Sequence, residues 1–235
     1  MRRLVPVIVA IAAVAVALPV IAQADHKPGH AKPGPPKPSP PAQTDLTIAA
    51  KPNPTVFRGA TVISGRLKGP NNAGKTVVLR EDEFPYRTGI RDVATTTTDA
   101  KGDYSFTRRP ARNTSYQAVA NTGVAYGMTA SIGVIVKVRI RMSLRVSDRT
   151  PRVGQVVRFR GRACPAHDGL LVRIQRKTRR GTFRTVRRTT LRAATRCPTY
   201  RRRFRVYRDG TYRVTSDDRD HARGFSRARF LNARR

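Results

Sequence analysis

The chain contains no tryptophan, only two cysteines and few acidic residues, and each scarcity limits what the protein can be. Aromatic residues make up 6% of the sequence, so a hydrophobic core must be built from Val, Ile and Leu with a few Phe and Tyr. There are 48 Lys and Arg against 14 Asp and Glu, which gives a formal net charge of +34. A field of that size attracts polyanions such as nucleic acid, anionic wall polymers or lipid head groups. Arginine is also the basic residue that a GC-rich genome supplies, so composition alone leaves a merely solvated surface as the alternative.

Clusters of chemically active residues are missing as well. We find no catalytic triad, no pair of carboxylates and no metal-ligand spacing, so we predict no enzyme, no metal site and no cofactor. Residues 69–76 match the phosphate-loop pattern G-x-x-x-x-G-K-[ST]. A phosphate loop must open a helix, but the residues from Thr76 to Leu79 predict a strand. We therefore interpret 69–76 as a hairpin turn.

The first 24 residues have the pattern of a secretory signal peptide. Two arginines precede an apolar run over residues 4–22, and Ala22-Gln23-Ala24 matches the A-x-A cleavage pattern. An uncleaved membrane anchor is the alternative, although two prolines interrupt the run. Residues 25–44 are rich in Pro and Lys and have no large apolar side chain, so we predict a disordered linker that serves as a stalk or is a plain tail. These features predict a secreted or cell-surface protein.

The two cysteines, Cys164 and Cys197, are predicted to form a disulfide. They are the only possible partners, and export would place them in an oxidising compartment. Closing a loop of about 34 residues contributes roughly 3 to 4 kcal/mol if the bridge acts through chain entropy. A catalytic cysteine is the alternative, but it would need a positioned histidine, and His167 lies in a predicted turn without an evident role.

The stretch from Ile132 to Val146 has an apolar residue at every even position. Strict alternation predicts a strand with one buried face. Fifteen residues would span roughly 50 Å at ~3.3 Å per residue, far beyond the usual strand length. We therefore predict two strands joined head to tail, the last of one β-domain and the first of the next, without a flexible linker.

A second pattern is an internal duplication with a spacing of 96 residues. The coinciding positions are Leu46/Met142, Ile48/Leu144, Ile63/Phe159, Gly65/Gly161, Tyr104/Tyr200 and Tyr116/Tyr212. Each copy has short segments separated by turn residues, the pattern of an antiparallel sandwich, so we predict sandwich domains at 45–138 and 139–235. In the second copy the predicted strands are 142–147, 156–163, 170–176, 183–190, 200–207, 211–216 and 223–231.

Three motifs resemble those of tandem bacterial immunoglobulin-like domains of secreted actinobacterial proteins. They are P-x-V-x-x-G at 54–59, TTDAKGDYSF at 97–106 and DGTYRV at 209–214. The resemblance implies an all-β fold of two tandem immunoglobulin-like antiparallel β-sandwiches in an extracellular setting. It also implies a tyrosine corner, in which the hydroxyls of Tyr212 and its twin Tyr116 bond to upstream backbone. The chain departs from antibody domains because it lacks the core Trp and has a valine in place of the second core Cys.

Arginines alternate with core residues on two predicted strands of the second copy. The outward set is Arg158, Arg160 and Arg162 on its second strand and Arg201, Arg203 and Arg205 on its fifth, followed by Tyr207. These two strands are neighbours in an immunoglobulin-like sandwich, so the side chains should share one solvent face. Opposed like charges destabilise a sheet unless counterions or a polyanion neutralise them. The alternative is that the arginines extend into water over the sheet.

The charge is concentrated in the same copy. Residues 138–235 contain 30 basic and 6 acidic residues, whereas 45–137 contain 13 and 7. We expect a secreted, non-enzymatic module whose second domain binds an anionic polymer at the cell envelope, with nucleic acid or an anionic lipid surface as other possible partners. The alternative is a structural spacer or adhesin stalk without a specific ligand.

Overall fold

The computed structural model describes residues 44–122, 127–165 and 168–235, and these residues form an all-β structure, as predicted. The predicted signal peptide at 1–24 and the linker up to residue 43 lie outside the described residues, as does His167. Within the described ranges, no helix is long and apolar enough to cross a membrane.

The first half of the structure consists of two antiparallel sheets. The strands are β1 (Asp45–Leu46), β2 (Ala49–Lys51), β3 (Thr55–Val56), β4 (Thr61–Lys68), β5 (Thr76–Glu83), β6 (Arg91–Thr97), β7 (Asp103–Arg108), β8 (Thr114–Asn121), β9 (Met128–Ala130) and β10 (Val134–Val136). In one sheet β4 lies between β7 and the successive short strands β1 and β2. In the other, β5 lies between β6 and β8, and β9 and β10 pair with the far side of β8.

The second half repeats this arrangement. Its strands are β11 (Val138–Arg139), β12 (Arg141–Met142), β13 (Arg145–Val146), β14 (Gln155–Cys164), β15 (Leu171–Lys177), β16 (Phe183–Thr190), β17 (Thr199–Val206), β18 (Gly210–Ser216), β19 (Gly224–Phe225) and β20 (Arg229–Leu231). β11 pairs parallel with β3 of the first half and belongs to neither of the larger sheets. β14 lies between β17 and the short strands β12 and β13. In the other sheet β15 lies between β16 and β18, and β19 and β20 pair with the far side of β18. Each of the seven strand segments predicted for this half contains a strand.

Each half has its own hydrophobic core between its two sheets. In the first half the cluster includes Ile63 and Phe106 from one sheet and Val77 and Ala118 from the other. In the second half it is Ile140, Met142, Leu144, Val157, Phe159, Ala163, Val172, Ile174, Leu191, Tyr200, Val206, Tyr212, Val214 and Leu231. Inward side chains alternate with outward ones along the longer strands, as two-residue periodicity requires. The fold is therefore β-sandwich-like, while the division into domains at 138/139 stays a prediction.

The alternating stretch is extended and buries its even-numbered side chains from Val136 to Leu144. It forms β10 to β13, which pair in turn with strands of the first and of the second half. Ile132 departs from the prediction because 83% of it is exposed. It lies in the break between β9 and β10, which both pair with β8. The inward positions change from odd to even across this break, since Ser131 is buried before it and Val136 after it.

A glycine and a tyrosine fix the same local packing in both halves. The Tyr104 hydroxyl donates to the Thr47 carbonyl at 2.5 Å, and the Tyr200 hydroxyl donates to the Ser143 carbonyl at 2.6 Å. Each tyrosine lies directly across the sheet from a glycine. A Cβ at Gly161 would lie 2.0 Å from the Ser143 carbonyl oxygen, so no larger residue fits without displacing the backbone.

The structure corrects the predicted tyrosine corner, because Tyr104 and Tyr200, not Tyr116 and Tyr212, make the upstream backbone bond. Tyr116 and Tyr212 lie on β8 and β18, in the sheet opposite the one that carries the glycines. The Tyr212 ring packs with its centroid 5.3 Å from that of Phe159. Burial and the nearby Glu81 carboxylate raise the pKa of Tyr116 to about 12.

Candidate anion-binding surface

The predicted pairing of the two arginine-bearing strands is confirmed. β14 and β17 pair antiparallel, with Arg158 opposite Arg203 and Arg160 opposite Arg201. Directly opposed residues project from the same face of a sheet with Cβ atoms about 5 Å apart. We call this outward surface the arginine face and define it as Arg145, Arg158, Arg160, Arg162, Arg201, Arg203 and Arg205.

Arg145 is the member that the sequence prediction missed. It lies on β13 directly opposite Arg160, which in turn lies opposite Arg201. Three adjacent strands therefore place arginines in one row, at strand separations of about 4.8 Å. The signal was present in the sequence, because Arg145 occupies an odd, outward position of the alternating stretch.

None of these arginines forms an ion pair with a carboxylate within the described part of the chain. Most are exposed, and the half-buried Arg158 has an Nε that finds no hydrogen-bond partner among the described residues. Arg205 donates to the Gly154 carbonyl at 3.0 Å. Tyr207 is 64% exposed and lies beside Gly154, at the end of the arginine face.

Five of these seven positions lack the charge in the first half. The row formed by Arg145, Arg160 and Arg201 corresponds, at the 96-residue spacing, to Ala49, Ser64 and Ser105, which pair in the same register. The pair of Arg158 and Arg203 corresponds to Val62 and Thr107 in the same way. The sheet therefore folds without arginine at these five positions.

Two of the seven positions carry an arginine in the first half as well. Arg109 corresponds to Arg205 and donates to the Arg58 carbonyl at 3.3 Å, whereas Arg66 is neutralised. Arg66 corresponds to Arg162, and it donates from Nε and Nη2 to the Asp103 carboxylate at 2.5 and 2.8 Å. The hydrogen bonds from Arg66 hold the pKa of Asp103 below its usual range. The residue that corresponds to Asp103 in the second half is Thr199, so Arg162 has no acidic neighbour at this place.

Arg162 lines a depression in the arginine face. β12 and β13 are separate strands, and the chain between them bends at Ser143, whose carbonyl receives the Tyr200 hydroxyl. Arg145, Arg160, Arg162, Arg192 and Arg201 surround this point. We call this concavity the Ser143 depression. A depression also exists at the corresponding place in the first half, around Thr47 and Tyr104.

The disulfide lies at one end of this surface. Cys164 ends β14 and Cys197 precedes β17, with a Cα–Cα distance of 5.2 Å, which confirms the predicted bridge. The bridge therefore fastens together the two strands that carry most of the arginine face. Arg162 and Thr199 are the opposed residues nearest to it.

Three basic side chains on the other sheet of the second half are engaged by neighbours. Arg173 and Arg223 both donate to the Asp217 carboxylate, at 2.6 and 3.1 Å. Arg213 lies between two aromatic rings, 3.9 Å from the Phe183 centroid and 4.3 Å from that of Phe225. Such contacts hold guanidinium groups in place through charge pairing and cation–π attraction. These three guanidinium groups are held by neighbours, while other exposed arginines of this half, such as Arg184 and Arg188 on β16, also carry charge outside the arginine face.

Among the described residues, no three or more metal-ligating side chains form a group. Residues 69–76 lead into the strand β5 and not into a helix, as predicted. They connect β4 and β5, which lie in different sheets, so the interpretation of a hairpin turn was wrong. A surface of guanidinium groups and hydroxyls can bind and orient an anion by charge-assisted hydrogen bonds.

Comparison with known proteins gives no family. No protein-family model matches the chain, and a search of the curated proteins finds no match.

Proposed function

We propose that this protein is a secreted, non-enzymatic module of two tandem immunoglobulin-like domains, whose second domain binds an anionic polymer of the cell envelope through the arginine face. The carrying observation is the row of Arg145, Arg160 and Arg201, because identical positions in the first half hold Ala and Ser. A bias toward arginine in composition alone predicts no such difference between corresponding positions of one fold.

The strand order supports the immunoglobulin-like part of the proposal. In the first half β4 lies between β7 and the short strands β1 and β2, and β5 lies beside β8 in the other sheet. In the second half β14 lies between β17 and the short strands β12 and β13, and β15 lies beside β18. This is the neighbour relation of the immunoglobulin sandwich. The Cys164–Cys197 disulfide, together with the predicted signal peptide, supports export.

The energetics of the arginine face support binding of a polyanion. Like charges directly opposed on a sheet are destabilising by a few tenths of a kcal/mol or more per pair, and here Arg158 and Arg160 both face arginines. A polymer with regularly spaced negative groups relieves this repulsion along the length of two strands. It also releases its condensed counterions, so its affinity falls with salt.

The test removes three charges from the arginine face and compares them with three charges elsewhere. The first variant is Arg158→Gln, Arg160→Gln and Arg203→Gln. The control is Arg179→Gln, Arg180→Gln and Arg227→Gln, which changes exposed residues in turns of the other sheet. Retention on immobilised poly(glycerol phosphate) is measured as a function of salt concentration.

The first variant should lose affinity about tenfold or more, and its plot of log affinity against log salt should become shallower by about 2, since roughly three phosphate contacts disappear. The control should change much less. Equal losses would mean that binding follows net charge and would favour the alternative, a structural spacer or adhesin stalk without a specific ligand. Tighter binding to an oligodeoxynucleotide of equal charge would overturn the assignment to the envelope.

A further inference from the structure

The Ser143 depression differs from the rest of the arginine face because five arginines line a single concavity. We propose that it binds a single phosphate group, which anchors the polymer while the remaining arginines hold the polymer diffusely. This inference rests on the proposed function and assigns a ligand group to one part of its surface.

The shape of the depression comes from the fold and exists in both halves. The hydrogen bond from Tyr200 to the Ser143 carbonyl has its counterpart in that from Tyr104 to Thr47, and both form over a glycine. The concavity therefore needs no functional explanation. What requires one is the chemistry of its lining.

The two linings differ in charge. In the first half two basic and two acidic side chains contribute, namely Arg66, Lys68, Asp99 and Asp103, so the net charge is zero. In the second half five arginines contribute, namely Arg145, Arg160, Arg162, Arg192 and Arg201, without an acidic residue in the lining. The same concavity is thus neutral and ion-paired in the first half and has no acidic residue in its lining in the second half.

Hydroxyl groups add donors at the base of the depression. The Ser143 Oγ accepts a hydrogen bond from the Arg162 backbone N–H at 3.0 Å, so its own hydrogen is available to an anion. The corresponding Thr47 hydroxyl accepts from the Arg66 N–H, and it also donates to the Arg66 carbonyl at 3.3 Å. Thr199 supplies a further hydroxyl to the lining, at the place of the carboxylate of Asp103.

The arrangement of guanidinium groups favours phosphate over carboxylate. A carboxylate has two coplanar oxygens, which one arginine fork satisfies, whereas a phosphate group presents tetrahedral oxygens to several forks at once. Here the forks come from β13, β14 and β17, and Arg192 adds one from the connection that precedes β17. Arg192 is fixed there by reciprocal backbone hydrogen bonds with Thr199, at 2.8 and 2.9 Å.

The experiment compares two neighbouring pairs of opposed arginines in the whole chain. The variant Arg160→Gln with Arg201→Gln removes charge from the depression, and Arg158→Gln with Arg203→Gln removes the same charge from the adjacent row outside it. Binding of inorganic phosphate and of a short glycerol-phosphate oligomer is measured by calorimetry at low salt. The two probes distinguish a free phosphate from one within a polymer. A carboxylate oligomer of equal charge serves as the third probe.

We expect the first pair to weaken phosphate binding at least tenfold and the second pair to change it less than threefold. Arg160→Lys with Arg201→Lys, which keeps the charge and removes the forks, should give an intermediate loss. Thr199→Asp should abolish phosphate binding, since it supplies Arg162 with the carboxylate that Asp103 gives Arg66, and it leaves the arginine row intact. This variant also keeps the test decisive if a double variant fails to fold.

Equal effects of the two pairs on phosphate, or stronger binding of the carboxylate oligomer, would overturn the depression as a phosphate site. If either result occurred while retention of the protein on the immobilised polymer still depended on the arginine face, the proposed function would stand without the phosphate site. Loss of that dependence would overturn both.

Discussion

At the scale of the residue, the two halves have different side chains at corresponding positions of their cores. In the first half the buried Glu81 accepts hydrogen bonds from Arg91 at 2.9 Å and from Arg108 at 3.1 Å, next to Tyr116. In the second half Phe204 takes the place of Arg108 and stacks on Phe159, with ring centroids 4.4 Å apart. One core therefore depends on a buried ion pair and the other on aromatic packing.

The buried carboxylate should be critical for the stability of the first half. Glu81→Gln keeps the side-chain shape but leaves the buried part of Arg108 without its counter-charge. We expect the free energy of unfolding to fall by about 3 kcal/mol. Glu83→Gln is the control, because Glu83 is more exposed and forms only longer ion pairs of 3.7 Å, so its loss should be well under about 1 kcal/mol. Chemical denaturation measures both, and equal losses would contradict the importance of the buried network.

At the scale of the element, periodicity predicts strands well because it reports which side of a strand is buried. The alternation in the even positions from 134 to 146 and the seven segments of the second half were recognisable in this way. The pairing of β14 with β17 followed from a fold resemblance, and the register then placed Arg160 opposite Arg201. Ile132 was mispredicted because apolar alternation does not show the break between β9 and β10, where the inward positions change from odd to even.

The candidate site was only partly predictable for a physical reason. Six of the seven arginines of the arginine face lie on two long strands with clear periodicity. The Ser143 depression depends on a break between two short strands and on Arg192 in a connection, so it exists only in three dimensions. The tyrosine corner was assigned to the wrong pair because a tyrosine's partner depends on the glycine across the sheet, which sequence spacing does not reveal.

Gly161 gives a prediction about the strand β14. Gly161→Ala would place a Cβ 2.0 Å from the Ser143 carbonyl oxygen, so β14 must shift and the hydrogen bond from Tyr200 must weaken. We expect a loss of about 1–3 kcal/mol in the free energy of unfolding, the scale of overpacking. Gly133→Ala is the control, since its nearest new contact would be an ordinary 3.6 Å. Thermal or chemical unfolding compares them, and a tolerated Gly161→Ala would show that the backbone can open here.

At the scale of the whole molecule, the described residues of the two halves are joined by hydrogen bonds as well as by the chain. The Asn113 N–H donates to the Asp220 carbonyl at 2.9 Å. His221, which is buried, lies 3.0 Å from the Ala111 carbonyl through Nε2 and 3.0 Å from the Asp218 carboxylate through Nδ1. Both partners of the ring are acceptors, so only the imidazolium form donates to both.

This geometry makes the stability of the molecule depend on pH. Burial alone would lower the pKa of His221, but the hydrogen bond and charge of Asp218, with the Ala111 carbonyl and the charge of Asp220, raise it above its ordinary value. A raised pKa in the folded state stabilises the fold fully below about pH 6.5, and this contribution is lost as the pH rises through the folded-state pKa. We expect a decrease on the order of 1 kcal/mol in the free energy of unfolding, the scale of a hydrogen bond to a charged group.

The measurement is the difference between the native chain and His221→Gln across that pH range, which cancels the titration of the other histidines. The difference should shrink with rising pH. A constant difference would mean that His221 stays neutral at its place.

The glycine and tyrosine packing has an evolutionary consequence. A Cβ would collide with backbone at both Gly65 and Gly161, so duplication of this fold copies the concave shape together with the core. The lining is free to vary, because its side chains point away from that core. One copy can thus keep its lining while the other acquires a ligand through a few substitutions at outward positions. The shape of the concavity is constrained in both halves, whereas its ligand specificity can change with the lining alone.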